Sequence, residues 1–472
     1  MNAAAAYDEI PYSKYPYPQT HPDRLATIAT LHGLHPAPPA RCRVLELGCG
    51  AGGNLIPLAY AAPELRAVGV DLATSAIADG RATATELGLE NVELLEGDLR
   101  DLRGGELGAF DYVVAHGVYA WVEADVRDAL LASIHAHLAP EGVGFVSYNA
   151  LPGGYLRRMI REMGLWHARG AAEPLERARV AQGLFRFLAE HRVADDPYGA
   201  VLGRELRRVV ARPLHSLVHD DLNPAHAAVW FADFVAHAAS HGLGFVGETE
   251  LADLEDDRLP PGVEAAVREL SGEDRVAFEQ YSDFLLGRKF RQTVLCRADC
   301  PVDEALAPGR MVDLRFLSSA VPDSAQPAGL LPRAIDALEA VWPATLGFEE
   351  VRDGLGADTD ELARALLHGF RSGVVEPHVD PPRWATLPGE RPRASTLARL
   401  QAVEAIDLTT LRHENVRMEE PAARQLLRLL DGTRDREAIL AELARGEDGV
   451  ALAAEDLERN LEALAGLALL HA

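Results

Sequence analysis

Residues Val44-Leu45-Glu46-Leu47-Gly48-Cys49-Gly50-Ala51-Gly52-Gly53-Asn54 read VLELGCGAGGN, an apolar run that breaks into glycines. Gly48, Gly50 and Gly52 spell GxGxG, while Gly48, Gly50 and Gly53 equally spell GxGxxG, the dinucleotide fingerprint. The glycines alone do not choose between them. Val44 to Leu47 reads as a buried strand opening onto the turn, and Asn54 to Ala62 as a helix with Leu55, Ile56, Leu58 and Ala59 on its apolar side. Ala67 to Val70 is a second strand ending at Asp71, and Thr74 to Leu87 a second helix followed by Gly88, which suits a C-cap. Further strands are expected at Val92–Leu95, Phe110–Val114 and Val143–Tyr148, the last after a helix over Val126–Leu138 and a turn at Pro140-Glu141-Gly142. Strands and helices alternating at this spacing predict a doubly wound parallel sheet, whose ligands bind at the carboxyl ends of the strands.

The acidic residues at those ends discriminate between ligands. Asp71 stands about 20 residues beyond the loop, where an acid can hold a ribose. Glu46 precedes the first glycine by two positions; a carboxylate there opposes a pyrophosphate and suits an ammonium group. Asp98 follows the third strand, within reach of an adenine edge. A ligand with adenine, ribose and an amino acid, and no phosphate, accounts for all three, and S-adenosylmethionine is such a ligand.

ELGCGAG, the acid after the second strand and the Gly97-Asp98 pair resemble the class I S-adenosylmethionine-dependent methyltransferases. The resemblance implies a seven-stranded Rossmann-like sheet covering roughly residues 25 to 165. It places Gly48, Gly50 and Gly52 against the methionine moiety, Asp71 on the ribose hydroxyls, and Asp98 with Leu99 on the adenine. Tyr17, Thr20, Glu46, Cys49, Asn54, Leu72, Gly97, Ala115 and His116 complete the expected cofactor-binding set.

Methyl transfer is an in-line displacement at a sulfonium carbon, so the protein mainly aligns the nucleophile and excludes water. The acceptor belongs beside the loop after the fourth strand, Ala115-His116-Gly117-Val118-Tyr119-Ala120-Trp121. His116 is a candidate proton acceptor, because an unperturbed imidazole titrates close to neutral pH. Tyr119 and Trp121 offer faces to an amine by cation–π contact, or pack the helix that follows. Tyr148 and Asn149, at the end of the fifth strand, are further candidate acceptor contacts. The Asn/Asp-Pro-Pro-Tyr/Phe signature of amide and adenine amino methyltransferases is absent, which disfavours those acceptors. Tyr12-Ser13-Lys14-Tyr15-Pro16-Tyr17-Pro18-Gln19-Thr20-His21-Pro22 is extended in character and suggests a lid across the site, or an arm packed on the core.

From about residue 170 to 300 the pattern is mostly helical, with Leu184–Leu188 and Trp230–Phe234 as buried faces. His215, His219 and His226 are close in sequence and the first two are four apart, yet no acid or cysteine joins them at ligand spacing, so no metal is assigned. Tyr281–Phe284 through Arg288–Thr293 reads as a helix entering a strand that closes this domain. SKYPYPQTHPDRLATIATLHGL, AHGVYAWV, SYNALPGG and DFLLGRKFRQTVLC resemble bacterial methyltransferases with a methyltransferase regulatory domain, a family that includes protein-lysine methyltransferases acting on outer-membrane proteins. The chain departs from that pattern at His219-Asp220-Asp221-Leu222.

Leu331–His378 and Arg424–His471 form an apparent repeat of two short helices and a longer one, separated by the Pro-rich stretch from Asp380 to Pro392. Each unit suggests a winged-helix-like module. Glu455, Asp456 and Glu458 on the longer helix oppose DNA binding, leaving peptide docking, self-association or plain packing. The organisation expected is an arm (1–24), a methyltransferase domain (25–168), a mostly helical regulatory domain (169–305) and two winged-helix-like modules (306–380 and 381–472).

The 72 acidic and 46 basic residues leave a net charge of −26, which repels nucleic acid and tolerates basic partners. No run approaches the roughly 18 apolar residues of a membrane helix, and MNAAAAYDEI lacks the basic start of a secretory signal, so membrane insertion is not expected. Of the four cysteines, Cys42, Cys49, Cys296 and Cys300, the last two form a lone CxxxC with no partner pair, which reads as two reduced thiols rather than a zinc site, and the protein reads as cytoplasmic. The leading reading is a protein N-methyltransferase acting on lysine, with a homodimer admitted. A small-molecule methyltransferase and a non-catalytic cofactor-binding regulatory module remain the alternatives.

Overall fold

Strands that are apolar on both faces need a layer of helices above and another below. The computed structural model describes residues 14–191, 196–223, 225–249, 259–319, 329–445 and 452–472. Tyr12, Ser13 and the stretch MNAAAAYDEI lie outside the described residues. The parallel strands are β1 (Arg43–Leu47), β2 (Arg66–Asp71), β3 (Val92–Glu96), β4 (Phe110–Ala115) and β5 (Leu138–Asn149). Alternation splits their side chains between two cores. Val44, Tyr112 and Phe145 join the helices Pro22–Leu31 and Leu55–Ala61, while Leu45, Leu47, Val113 and Val146 join Ala124–His137 and Phe231–Ser240.

With β6 (Leu243–Glu248) and β7 (Phe290–Arg297), the sheet has seven strands in the order β3-β2-β1-β4-β5-β7-β6. The strand order reverses between β1 and β4, so the cleft for a ligand lies at their carboxyl ends. These last two strands correct the expectation that the sheet is complete by residue 165. The helical segment is an insertion between β5 and β6, and β7 runs antiparallel to both neighbours. The helix Arg275–Leu286 does lead into a strand, but that strand enters the central sheet rather than closing the helical domain. β5 also begins earlier than its apolar run. Leu138 pairs with Phe110, the register then shifts, and pairing resumes at Val143 opposite Tyr112. The Pro140–Gly142 turn is thus an irregularity inside a strand rather than its boundary.

In the inserted segment the helices Gly154–His167, Pro174–His191 and Pro197–Val210 close on Ile160, Phe185, Leu202 and Leu206. Beyond β7, a three-stranded sheet of β8 (Arg315–Leu317), β9 (Leu346–Gly347) and β10 (Glu376–His378) carries the helices Leu330–Glu339, Phe348–Leu355 and Thr359–Arg371. Its core is continuous with that of the large sheet through Phe316, Leu338, Leu366 and Phe370. The last module has its own core around Leu426, Ile439, Leu457 and Leu461, and a hairpin of β11 (Asp407–Thr409) and β12 (Asn415–Arg417). Its long helix, Ala454–Gly466, and Thr359–Arg371 of the preceding module are both 13 residues, as the repeat implies. Among the described residues no helix is long and apolar enough to cross a membrane.

One ion cluster fastens β7 to the helix before it. Arg291 is 1 % exposed and bonds Asp283 (2.8 Å), Glu279 (2.9 Å) and Glu248 (3.1 Å), with its guanidinium 3.9 Å from the Phe231 ring centroid. Removing one member of a buried ion set strands the others. Arg291→Met is therefore expected to lower unfolding free energy by about 3–5 kcal/mol in chemical denaturation. Arg158→Met, which breaks an exposed pair with Glu162, should leave the midpoint unchanged. Equal midpoints for the two variants would contradict this account of the cluster.

Candidate functional site

The glycine loop is forced by backbone geometry. Gly48 (φ 80°) and Gly50 (φ 53°) lie in the left-handed region. A Cβ on Gly48 would stand 2.5 Å from Val118 Cγ2, whereas one on Gly50 would meet nothing within 4 Å. The loop is thus pressed against the β4 loop on one side and open on the other. Gly48 and Cys49 both donate to Val70 O, at 2.8 and 3.2 Å, which ties the loop to the end of β2.

Glu46 tests which ligand fits the open side. It is 4 % exposed; Oε1 accepts from Asn54 Nδ2 at 3.0 Å, and Oε2 is buried without a hydrogen-bond partner. Burial pushes its pKa up to about 8, partly offset by Asn54 and assisted by the charge of Asp71. A pyrophosphate would add anionic charge to a carboxyl that already resists ionising, while an ammonium group would supply the missing donor. Asp71 Oδ2 accepts from Gly50 N at 2.8 Å and Oδ1 from Ala73 N at 2.9 Å, so the acid expected to hold a ribose is fixed at the mouth of the loop. Beside it Leu72 is 43 % exposed, an apolar surface at a strand end. The residues present fit S-adenosylmethionine.

The strand end expected to meet the adenine carries a feature that the sequence reading missed. Asp98 is engaged by Arg100, whose Nη2 is 2.6 Å from Oδ2 and whose backbone N is 2.9 Å from Oδ1, and Arg100 holds its pKa below the ordinary range. A base edge at Asp98 would meet only its remaining lone pairs. Leu99 is buried and Gly97 N donates to Asp71 O at 2.9 Å. Cys49 is buried, burial pushes its thiol pKa up, and it sits where a Cβ on Gly69 would clash at 2.7 Å.

The arm lies across this site. A Cβ on Gly53 would meet the Lys14 backbone at 2.6 Å. Tyr17 N donates to Asn54 Oδ1 (2.9 Å), and buried Thr20 has its hydroxyl 3.1 Å from the same oxygen. The Tyr17 ring stacks on His116 at 3.8 Å between centroids. His116 follows buried Ala115 at the end of β4, and desolvation alone pushes its pKa down to about 4, so it is neutral at physiological pH.

The remaining acceptor candidates divide. Tyr119 and Tyr148 are in the core. Tyr148 is 1 % exposed, stacks on Phe234 at 4.0 Å and bonds Thr293 Oγ1 at 3.0 Å. Tyr119 packs edge-on to Phe234 and bonds His237 Nδ1 at 2.8 Å, and burial pushes its pKa up to about 12. For these two the packing reading replaces the acceptor reading, because β5 keeps Tyr148 on its inward face and the β4 loop folds Tyr119 beneath it. Trp121 and Asn149 instead share a polar cluster with Arg157, absent from the sequence reading, and His226, weighed there only as a metal ligand. Arg157 lies 5.2 Å from the Trp121 ring centroid and donates to Asn149 Oδ1 (3.3 Å) and Asp221 Oδ1 (3.1 Å), and the His226 ring stands 4.8 Å from that of Trp121. Asn149 Nδ2, Arg157 Nη2 and His226 Nε2 are buried without hydrogen-bond partners. Asp221, part of the segment where the chain departs from the family pattern, anchors this cluster by bonding both Arg157 and Arg212. Among the described residues, a metal-type grouping occurs at Asp128, His237 and His241, not at His215, His219 and His226.

The Glu46 carboxyl makes cofactor binding pH-linked. With its pKa raised to about 8, it is mostly protonated at pH 7, and an ammonium partner favours the anion. Binding at pH 7 should release a proton, and affinity should rise as pH climbs toward 8. Calorimetry in two buffers of different ionisation enthalpy would measure the release, and Glu46→Gln should abolish it. Proton uptake, or release that persists in the variant, would contradict the assignment.

Three family models match the chain: "Methyltransferase domain" over residues 44–142, "Predicted methyltransferase regulatory domain" over 213–297 and "PKMT, C-terminal winged helix domain" over 390–467. An uncharacterized protein of Rickettsia prowazekii (strain Madrid E) is 33% identical over 320 residues, 67% of this chain and 57% of the relative, so the chain spans just over half of that relative's length. A second uncharacterized protein of the same organism is 32% identical over 234 residues, covering 49% of this chain and 93% of the relative. The solved structure of PKMT2 from Rickettsia typhi in complex with AdoHcy matches with a TM-score of 0.84 at 25% identity, over 98% of this chain and 100% of that one. By its glycine loop, its strand-end acids, its sheet order and these matches, the chain belongs to the S-adenosylmethionine-dependent methyltransferases that carry a methyltransferase regulatory domain and a PKMT-type C-terminal winged helix.

Proposed function

We propose that this methyltransferase acts on lysine side chains of a protein. The observation that carries the reading is the acceptor side itself: a neutral His116 held between Tyr17 and Phe145, beside an exposed Gly117 and Phe290, which is 39 % exposed. A site that opens to solvent here suits a side chain delivered on a large molecule, whereas a metabolite calls for an enclosed cavity. Further exposed aromatics are Tyr155 and Phe284, each 49 % exposed and in edge contact with Trp230. The net charge of −26 favours a cationic partner. The match to the PKMT2 structure over the whole length of both chains supports the same class.

When bound, S-adenosylmethionine supplies an activated methyl group. The protein's task is to present a neutral amine in line with it. Deprotonating an ordinary lysine at pH 7 costs roughly 4–5 kcal/mol. The fixed charge of Arg157, stacked on Trp121 at the end of the β4 loop, disfavours an ammonium nearby, and partial burial acts in the same direction. His116 stays neutral and offers a lone pair or an N–H to the amine rather than acting as a titrating base.

The test is methylation of a bacterial cell lysate with labelled S-adenosylmethionine, followed by mass mapping. Label on lysines, lost with Asp71→Ala, is the expected result; label confined to small molecules would overturn the proposal in favour of a metabolite acceptor. On a mapped peptide, the rate should rise with pH above 6 with no inflection from histidine, since His116 is already neutral above about pH 4. A limb near pH 6.5 that disappears in His116→Gln would contradict this.

A further inference from the structure

Asn54 stands at the N-cap of the helix Leu55–Ala61, yet its side chain makes no capping bond. It is spent elsewhere. Its Nδ2 donates to Glu46, and its Oδ1 lies 2.9 Å from Tyr17 N and 2.8 Å from His413 Nε2. A backbone N–H can only donate, so the atom facing Tyr17 is the carbonyl oxygen. That fixes the imidazole as well: Nε2 of His413 carries the proton, and Nδ1 is a bare acceptor. This Nδ1 is buried without a hydrogen-bond partner, as is Glu46 Oε2. Two residues that each keep one orphaned acceptor thus bond one amide. One comes from β1, the other from the hairpin of the last module, 359 residues beyond Asn54.

The hairpin holds His413 there at a cost. His413 is 3 % exposed and has φ 61°, a left-handed conformation that residues other than glycine rarely adopt. Its neighbours over-determine the turn. His413 N donates to Thr410 O at 3.1 Å, and Arg412 bonds Glu376 and lies 4.9 Å from the Trp342 ring centroid. The same hairpin grips the arm: Asn415 Nδ2 donates to Pro16 O at 3.0 Å and Tyr15 OH to Asp407 Oδ2 at 3.2 Å. A buried acceptor left unmade costs about 1–3 kcal/mol, so a strained backbone that holds Asn54 against Glu46, whose Oε2 still lacks a donor, points to a donor-bearing ligand.

We propose that the C-terminal module completes the cofactor site. His413 is a positioning residue that holds Asn54, and through it Glu46 and Tyr17, for the methionine end of the cofactor. The inference rests on the reading of Glu46 as the ammonium partner. It makes the winged-helix module part of the binding pocket rather than an appendage.

The full-length chain and two variants would be titrated calorimetrically with S-adenosylhomocysteine and with 5′-methylthioadenosine, which keeps the nucleoside and lacks the amino-acid end. His413→Asn suits the left-handed backbone, so the fold is preserved, but is too short to reach Asn54. His413→Gln reaches Asn54 with an N–H donor. S-adenosylhomocysteine affinity should fall at least about tenfold in His413→Asn, the worth of roughly one hydrogen bond, and recover in part in His413→Gln. Affinity for 5′-methylthioadenosine should be the same in all three. Equal weakening of both ligands, or of neither, overturns the proposal. If the wild-type chain binds neither, the cofactor reading itself falls and this proposal with it. If it binds both but Glu46→Gln leaves S-adenosylhomocysteine unaffected, the reading of Glu46 fails while the cofactor reading stands.

Discussion

The hydrogen bond from Asn54 Nδ2 to Glu46 Oε1, 3.0 Å long, is the contact on which the cofactor side of the molecule is arranged. Glu46 is on β1, on the face it shares with Val44, and burial there would be prohibitive for a carboxylate with no partner. One amide satisfies one oxygen. The other face of that amide then collects the arm through Tyr17 and Thr20 and the last module through His413. Three segments far apart in sequence are therefore registered on a single side chain. The glycine loop supplies what remains: an open backbone at Gly50 and a carboxylate, Asp71, hydrogen-bonded to its amide.

The side proposed to receive the acceptor is built on a different logic. Strand ends bring Trp121 and Asn149 together, and the inserted helical segment supplies the cations and histidine around them. Asp221 neutralises part of that charge and fixes the Arg157 guanidinium against Trp121. Its segment winds as a π-type turn over Leu217–Asp221, a form found frequently at functional sites. The regulatory region is thus in direct contact with the loop that follows β4, and Arg291 ties its last helix to the sheet on the other side.

Much of this was legible in the sequence, because local signals are strong where the chain alternates strand, glycine turn and helix. VLELGCGAGGN, Asp71 and Gly97-Asp98 each occupy the strand-end positions that their spacing implies. What escaped is non-local. β6 and β7 belong to the sheet only because a helical segment of about a hundred residues is looped out between β5 and β6, and no periodicity announces which sheet a strand will join. Tyr119 and Tyr148 carry the same residue type as Tyr17, and only the fold decides that two are core and one roofs His116. Arg100 beside Asp98 was visible as a neighbour, but its bidentate grip is a matter of side-chain geometry. His413 had no sequence signal at all, since its role arises from a turn in one module meeting an amide in another.

The most direct test of the account is the structure of the full-length chain crystallised with S-adenosylhomocysteine. The account predicts the amino group against Glu46 Oε2, with the ribose on Asp71 and the base beside Leu72 and Leu99. A ligand bound in the reverse sense, with Glu46 still unpartnered or facing the base, would contradict it.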